Sequence, residues 1–414
     1  MSGSPASASA SRAGTTIRRA ALLGRPGLWD VCVGDGLIAR LEPHAGTAGR
    51  REGDDAAIDA AGRLLLPGFV DCHTHACWAD PSGAPTGSHR LDEWAMKRAG
   101  RVYLEILRAG GGIMATVRGV RAASEEQLAE QVLARADRLL ANGSTTIEVK
   151  SGYGLTTGDE LKMLRAIRRA ASRFAGTLVP TALLGHAIDP DQPRERFVRS
   201  VIVETLPRVS EEFPGIAVDA FCEQGAWTLA ECRELFEAAR RLGHPVRVHA
   251  DQFTSQGMTP LAVAMGARSV DHLEASTPAD LAALSGAQGT WAVALPACGF
   301  HLDGRYANLG PVVRGGGASR VCIATNLNPG SAPCWSMALV IALGVRHGGL
   351  SPEEAVIAAT ANPARLLALE DRGVLEPGRR ADLVLVDAHS ADELAFNFGD
   401  SAVRRVWAAG RMIG

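Results

Sequence analysis

The amino-acid sequence predicts an α/β chain: a (β/α)8 barrel that carries a small β-sandwich-like domain built from both chain ends. From Gly68 onward a short apolar run, a polar tip and an amphipathic stretch recur, and eight such units over about 300 residues match the size of a βα barrel with insertions. The two ends of the chain differ, with short β-like pieces (Leu37 to Leu41, Ala381 to Asp387, Val403 to Ala408) broken by Gly and Pro. Neither end is long enough to bury a core alone, so the two are expected to pair.

The candidate strands are Leu64 to His75, Thr145 to Lys150, Thr177 to His186, Ala217 to Glu223, Pro245 to His249, Arg268 to His272, Thr290 to Pro296 and Arg320 to Asn326. Helical periodicity separates them. Ser124 to Leu140 opens with the capping-box sequence Ser124-Glu125-Glu126-Gln127, and Thr157 to Phe174 and Thr228 to Leu242 repeat near 3.6 residues. The expected divisions are a disordered Ser/Ala/Gly-rich tail over 1–14, a composite β domain from 15–66 and 365–414, and a catalytic barrel over 67–364.

Composition narrows the function classes. Hydrophobic residues make up 46% and charged residues 21%, with a net charge of −2, so no basic footprint for nucleic acid or an anionic membrane is present. No apolar run approaches the length of a membrane span, and the N-terminus lacks an apolar signal core, which predicts a cytoplasmic protein with small-molecule partners. The eight cysteines are scattered without zinc-ribbon spacing and read as small reduced core residues.

The first predicted strand ends in Asp71-Cys72-His73-Thr74-His75. Side chains two apart on a strand share a face, so His73 and His75 are expected to aim both imidazoles at one point as a metal clamp. Other strand ends offer Glu148 and Lys150 before Ser151-Gly152-Tyr153-Gly154, then His186, Glu223, His249 with Gln252, His272 with Glu274, and Asn326 with Asn328. Active sites of βα barrels gather at the C-terminal ends of the strands. His73, His75 and His249 suit zinc or iron, which supports hydrolysis of an unactivated amide at neutral pH, and His272 is the candidate proton carrier.

With these residues in place the chain resembles the amidohydrolase superfamily, and within it the imidazolonepropionases of histidine degradation, from about Gly34 to the C-terminus. The resemblance rests on Pro67 to His75, Gly110-Gly111-Gly112-Ile113 with Thr116-Val117, Thr145 to Gly154, Phe221-Cys222-Glu223 and His249-Ala250-Asp251-Gln252. It continues through Asp271-His272-Leu273, Ala324 to Ser331 and the return segment Gly378 to Asp387. It implies a barrel of the metal-dependent amidohydrolase type that hydrolyses 4-imidazolone-5-propanoate to N-formimidoyl-L-glutamate. It also implies one metal per subunit (Zn2+, or Fe2+/Fe3+) on His73, His75, His249 and Asn326, with His272 and Gln252 as catalytic residues. Substrate contacts are implied at Arg90, Tyr103, Tyr153, His186, Gln252, Asn328, Gly330 and Ser331, and a homodimer is the common assembly.

Two departures from the family pattern leave alternatives open. Asn326 stands where the family has a metal-binding aspartate, and Gln252 also brings no acid, which keeps a catalytically weak homologue or another activity, such as deamination of a heterocycle, in view. The Pro/Gly-rich stretch Asp80 to Ser88 reads as an insertion near the mouth of the site, so either Arg90 or Arg98 is expected to bind the propionate.

Overall fold

The computed structural model describes residues 14–46, 54–80, 86–101, 112–399 and 401–413. Residues 1–13 of the expected tail, 81–85 of the Pro/Gly-rich stretch and Tyr103 lie outside the described residues.

The strands fall into two sheets of eight. The first contains β1 (Gly14–Leu22), β2 (Arg25–Gly34), β3 (Leu37–Pro43), β4 (Asp54–Asp59) and β5 (Leu64–Pro67) from the N-terminal side. From the C-terminal side it takes three more strands, numbered β14 (Leu383–Val386), β15 (Val403–Ala408) and β16 (Arg411–Ile413) in chain order. The two chain ends join where β5 pairs antiparallel with β14, Leu66 opposite Val384. The sheet curls so that its hairpins meet: Ala381 N–H donates to Gly36 C=O at 2.9 Å, and Gly410 N–H donates to Ala381 C=O at 2.8 Å. Ile17, Val31, Ile38, Leu65, Leu383 and Trp407 pack inside the curl as a core separate from that of the barrel.

The second sheet is the barrel: β6 (Phe69–Asp71), β7 (Ser144–Lys150), β8 (Thr177–Gly185), β9 (Ala217–Cys222), β10 (Val246–Ala250), β11 (Ser269–His272), β12 (Trp291–Ala294) and β13 (Val321–Ile323). Neighbours in this order are parallel throughout. The seam between β13 and β6 is closed beyond the strands, where Thr325 N–H and hydroxyl donate to Asp71 at 3.1 and 2.5 Å and Asn326 N–H donates to His73 C=O at 3.1 Å. The barrel and the sheet from the chain ends are therefore both present.

The run Leu64 to His75, expected as one strand, divides at Gly68: β5 belongs to the first sheet and β6 to the barrel. A Cβ at Gly68 would meet Thr145 Oγ1 at 2.2 Å, so only glycine lets the chain cross between sheets against β7. The other strands and the helices agree with expectation to within a few residues. Glu125–Ala141 starts at Ser124, whose hydroxyl accepts from Gln127 N–H while the Gln127 side chain accepts from Ser124 N–H. Thr157–Ala171 and Leu229–Arg241 are helices as well.

Candidate active site

The lower interior of the barrel is ionic rather than aliphatic. Alternation along β7 points Glu148 and Lys150 inward, and both are fully buried with Asp219 on β9, Arg247 on β10 and Asp271 on β11. Lys150 Nζ donates to Glu148 Oε1 at 2.7 Å and Asp219 Oδ2 at 2.9 Å, while Arg247 reaches Asp271 Oδ2 at 2.7 Å and Glu148 Oε1 at 3.3 Å. Three carboxylates thus face two cations, leaving one net negative charge beneath the site. Buried charges of this kind persist only when each is paired and hydrogen-bonded, as these are.

The histidines sit on top of this network. The strand β6 ends at Asp71, so His73 and His75 lie on the segment after it rather than on a hydrogen-bonded strand. That segment is still held straight between its neighbours, with Lys150 N–H donating to Thr74 C=O at 3.0 Å and His75 N–H to Leu327 C=O at 2.9 Å. Beyond it, Arg135 donates to the carbonyls of Ala76 and Trp78 at 3.0 and 2.8 Å and stacks over the Trp78 ring at 3.6 Å. The ring centroids of His73 and His249 are 4.5 Å apart, and those of His75 and His249 are 5.2 Å apart.

The networks below set the tautomers. His73 Nδ1 donates to Asp271 Oδ2 at 2.6 Å and His249 Nδ1 to Asp219 Oδ1 at 3.1 Å, which leaves Nε2 of each ring as a lone-pair donor. Nε2 of His249 faces Nε2 of His75 at 3.2 Å. His73 Nε2 and Asn326 Oδ1 are buried without a hydrogen-bond partner among the described residues. One ligand atom from each of His73, His75 and His249 lies within 4.8 Å of the others. Buried lone pairs turned on one another are costly unless a cation stands between them, so these residues fit a metal ion with Asn326 beside them. Burial, followed by neighbouring positive groups, holds the His73 and His75 rings well below the usual imidazole range, and burial also lowers His249. All three are neutral at physiological pH, the state a metal requires.

Above them lies a cavity of about 400 Å3 lined by His75, Arg90, Lys97, Tyr153, His186, His249, Gln252, His272, Asn326, Asn328, Gly330 and Ser331, among others. His186 Nδ1 donates to Gly152 C=O at 2.9 Å, which turns its other nitrogen away from that bond, and its ring stacks on His75 at 5.1 Å. Gly152 has φ +106°, and a Cβ there would meet His186 Nδ1 at 2.9 Å. The loop that carries Tyr153 is clamped by Glu160, which accepts from the N–H groups of Gly152, Gly154 and Leu155 at 2.9, 2.7 and 3.0 Å.

Arg90, not Arg98, reaches the cavity. Arg98 is exposed and stacks over Trp94, whereas buried Arg90 pairs with Glu93 at 2.5 Å and donates to Thr116 Oγ1 at 3.1 Å. Lys97, two turns beyond Arg90 on the helix Leu91–Arg98, donates to Gly330 C=O at 3.0 Å. Asn328 lines the cavity but is engaged by its own loop: its Oδ1 accepts from Gly330 and Ser331 N–H at 2.8 and 2.7 Å, and its Nδ2 donates to Asn326 C=O and Ser331 Oγ. Its part is to shape the turn that presents Gly330 and Ser331.

His272 faces the cavity from the end of β11, with Nδ1 3.2 Å from both Glu274 oxygens. Four non-glycine residues adopt positive φ at these strand ends, Asp251 (+58°), His272 (+88°), Leu273 (+73°) and Asn326 (+54°), and such conformations gather where structure is held for function. Two expectations need correction. Glu148 and Lys150 do not face the cavity, because strand alternation turns them into the barrel interior. Glu223 also stays out of it, accepting instead from Phe253 N–H, Thr254 N–H and the Thr254 hydroxyl. Sequence reasoning misses the parts played by Lys97, Glu93, Glu160 and Asp219, and Asp271 enters it only as part of the Asp271-His272-Leu273 segment, although the Glu93/Lys97 spacing of four on one helix face was a readable signal.

The profile of the Amidohydrolase family matches residues 64–413. An imidazolonepropionase from Symbiobacterium thermophilum is 42% identical over 366 residues, covering 87% of this chain and 83% of the relative. One from Deinococcus radiodurans is 43% identical over 355 residues (86% and 85% covered), and one from Myxococcus xanthus 42% over 395 residues (95% and 91% covered). Among solved structures, a 5-methylcytosine deaminase from Klebsiella pneumoniae liganded with phosphonocytosine aligns with a TM-score of 0.72 at 20% identity, covering 96% of this chain and 97% of that one. An adenosine deaminase from Xanthomonas campestris with bound zinc aligns with a TM-score of 0.67 at 18% identity, covering 96% and 92%. The solved structures share the fold; with the profile and the sequence relatives, the chain belongs to the amidohydrolase family, in its imidazolonepropionase group.

Proposed function

We infer that this chain hydrolyses the ring amide of 4-imidazolone-5-propanoate to N-formimidoyl-L-glutamate, in the cytoplasm, as the imidazolonepropionase step of histidine degradation. The observation that carries the reading is the cavity itself, where the neutral imidazoles of His75, His186 and His249 and the guanidinium of Arg90 line one space of about 400 Å3 suited to a heterocycle with a carboxylate arm. His73, His75 and His249 would hold a zinc or iron ion, with the Asn326 amide oxygen as a neutral fourth donor. When bound, that ion polarises the ring carbonyl and lowers the pKa of water. The network beneath lends the negative charge that Asn326 lacks, since Asp271 and Asp219 bond the far nitrogens of His73 and His249.

The remaining roles belong to side chains. Arg90 binds the propionate through two N–H groups, and Lys97 adds a second positive charge beside it. His186 and Tyr153 orient the ring, and Gln252 offers an amide to its polar edge. His272 holds and moves a proton at Nε2, with Glu274 at Nδ1 stabilising the charged ring. In the reaction the oxygen of water bonds to the ring carbonyl carbon, the carbon–nitrogen bond breaks, and the proton carried by His272 goes to the departing nitrogen. Purified protein given zinc or iron should convert this substrate and stop when chelated; metal-loaded protein that leaves it unchanged would refute the reading.

A further inference from the structure

Beside the three-histidine cluster, the described residues hold one more group of metal-ligating side chains: His272, Glu274 and Cys298. They come from different parts of the barrel rim. His272 ends β11, Glu274 follows two residues later, and Cys298 lies in the helix Pro296–His301 after β12. One ligand atom from each lies within 4.8 Å of the others. The Glu274 side chain is 4% exposed and the His272 side chain 2%, while Cys298 is 1% exposed, so none is a solvated surface group.

The chemistry of the donors is specific. Imidazole, carboxylate and thiol together form a borderline-soft set, which favours Zn2+ and its analogues Co2+ and Cd2+ over Mg2+ or Ca2+. A tetrahedral ion about 2.0 Å from nitrogen and about 2.3 Å from sulfur needs ligand atoms somewhat closer together than 4.8 Å. That adjustment would come from side-chain rotation at Glu274 and Cys298 on binding. Cys298 is buried at the edge of the core, and Gln252 Nε2, from a residue that lines the cavity, donates to its Sγ at 3.4 Å, so the sulfur lies directly behind the cavity wall.

We propose that His272, Glu274 and Cys298 form a second, inhibitory site for a thiophilic divalent cation, next to the three-histidine site. The His272 ring centroid is 5.4 Å from that of His249, so an ion there would stand close to the first without sharing its ligands. On binding, the metal–sulfur bond replaces the Cys298 S–H bond and the proton leaves to solvent, with no change of oxidation state. The imidazole taken up by the ion can no longer carry a proton. That consequence rests on the hydrolase reading given above, whereas the site itself does not.

The test is a titration of metal-free protein with Co2+, followed by absorption. The three-histidine site contains no sulfur, so its ion gives only ligand-field bands. A further equivalent should bring the thiolate-to-cobalt charge-transfer band in the near ultraviolet, and Cys298→Ser and Cys298→Ala should abolish that band while keeping the first equivalent. Glu274→Gln should retain the band and weaken the second ion roughly tenfold or more. Absence of a thiolate band in the parent, or its persistence in a Cys298 variant whose folding is verified by circular dichroism, would overturn the proposal. Turnover is read separately: zinc beyond one equivalent should slow the parent and spare Cys298→Ser. A thiolate band without loss of rate would overturn the inhibitory role of the site and remove His272 from the reaction.

Discussion

Asp271 Oδ2 accepts from His73 Nδ1 at 2.6 Å and from Arg247 Nη2 at 2.7 Å, so a single buried oxygen orients one ring of the three-histidine cluster and ties it to the ionic floor of the barrel. The arrangement makes His73 a stronger donor than a solvated imidazole, because its Nδ1 proton is partly shared with a carboxylate.

Asp271→Asn should therefore weaken metal binding about 10- to 100-fold while the barrel still folds. Competition with a chromophoric chelator measures this. Unchanged metal affinity would mean that the carboxylate only balances the charge of Arg247.

Asn326→Asp places a carboxylate beside the three histidines, at a position whose φ of +54° aspartate also tolerates. Metal affinity should rise roughly tenfold, the effect of about 1.4 kcal/mol of added attraction, and turnover should rise with it. Lower turnover would show that the surrounding network has adapted to the amide.

Arg90→Lys keeps a cation opposite Glu93 but loses the fork that grips both oxygens of a carboxylate. KM should rise about tenfold with little change in kcat, because the contact is made equally in substrate and transition state. A fall in kcat at constant KM would instead move Arg90 to the reacting centre.

Burial pushes His186 down to about 3 from an ordinary value of 6.5, and it lowers His73, His75 and His249 as well. In the unfolded chain each of these rings takes a proton as pH falls through 6.5, and in the folded chain only at lower pH, near 3 for His186. The unfolded state thus binds more protons, so stability of the metal-free protein is full above pH 6.5 and is lost as pH falls toward 3. Asp71, raised to about 7 by burial, opposes this by holding a proton in the folded state, and Glu160 and Asp251, also raised by burial, act in the same direction; the four histidines are the larger set. Melting temperatures of the chelated protein should fall steadily between pH 6.5 and 4; a flat profile there would show the rings to be hydrated and protonated.

Much of the architecture was legible in the sequence because barrel strands end in polar residues at regular intervals. His73, His75, His186, His249, His272 and Asn326 could be read as one site from their places at strand ends; all but His73 line the cavity, and His73 joins His75 and His249 beneath it. The break at Gly68 was not legible, since Leu64 to Asp71 is apolar on both sides of it and only the Thr145 side chain across the gap reveals the crossing. Glu148 and Lys150 read as site residues because an apolar core strand has no evident reason to end in charged side chains. Their partners Asp219 and Arg247 lie 69 and 99 residues away in sequence, a pairing that no local pattern encodes. Glu160 escaped notice for a related reason, as a glutamate in the first turn of a helix reads as a dipole partner until the loop it clamps is seen.

The central claim is tested most directly by incubating purified, metal-reconstituted protein with 4-imidazolone-5-propanoate and following N-formimidoyl-L-glutamate by mass spectrometry. Product that depends on the metal and disappears in His73→Ala is the predicted result. A protein that binds one metal ion on these histidines and leaves the substrate intact would contradict the account.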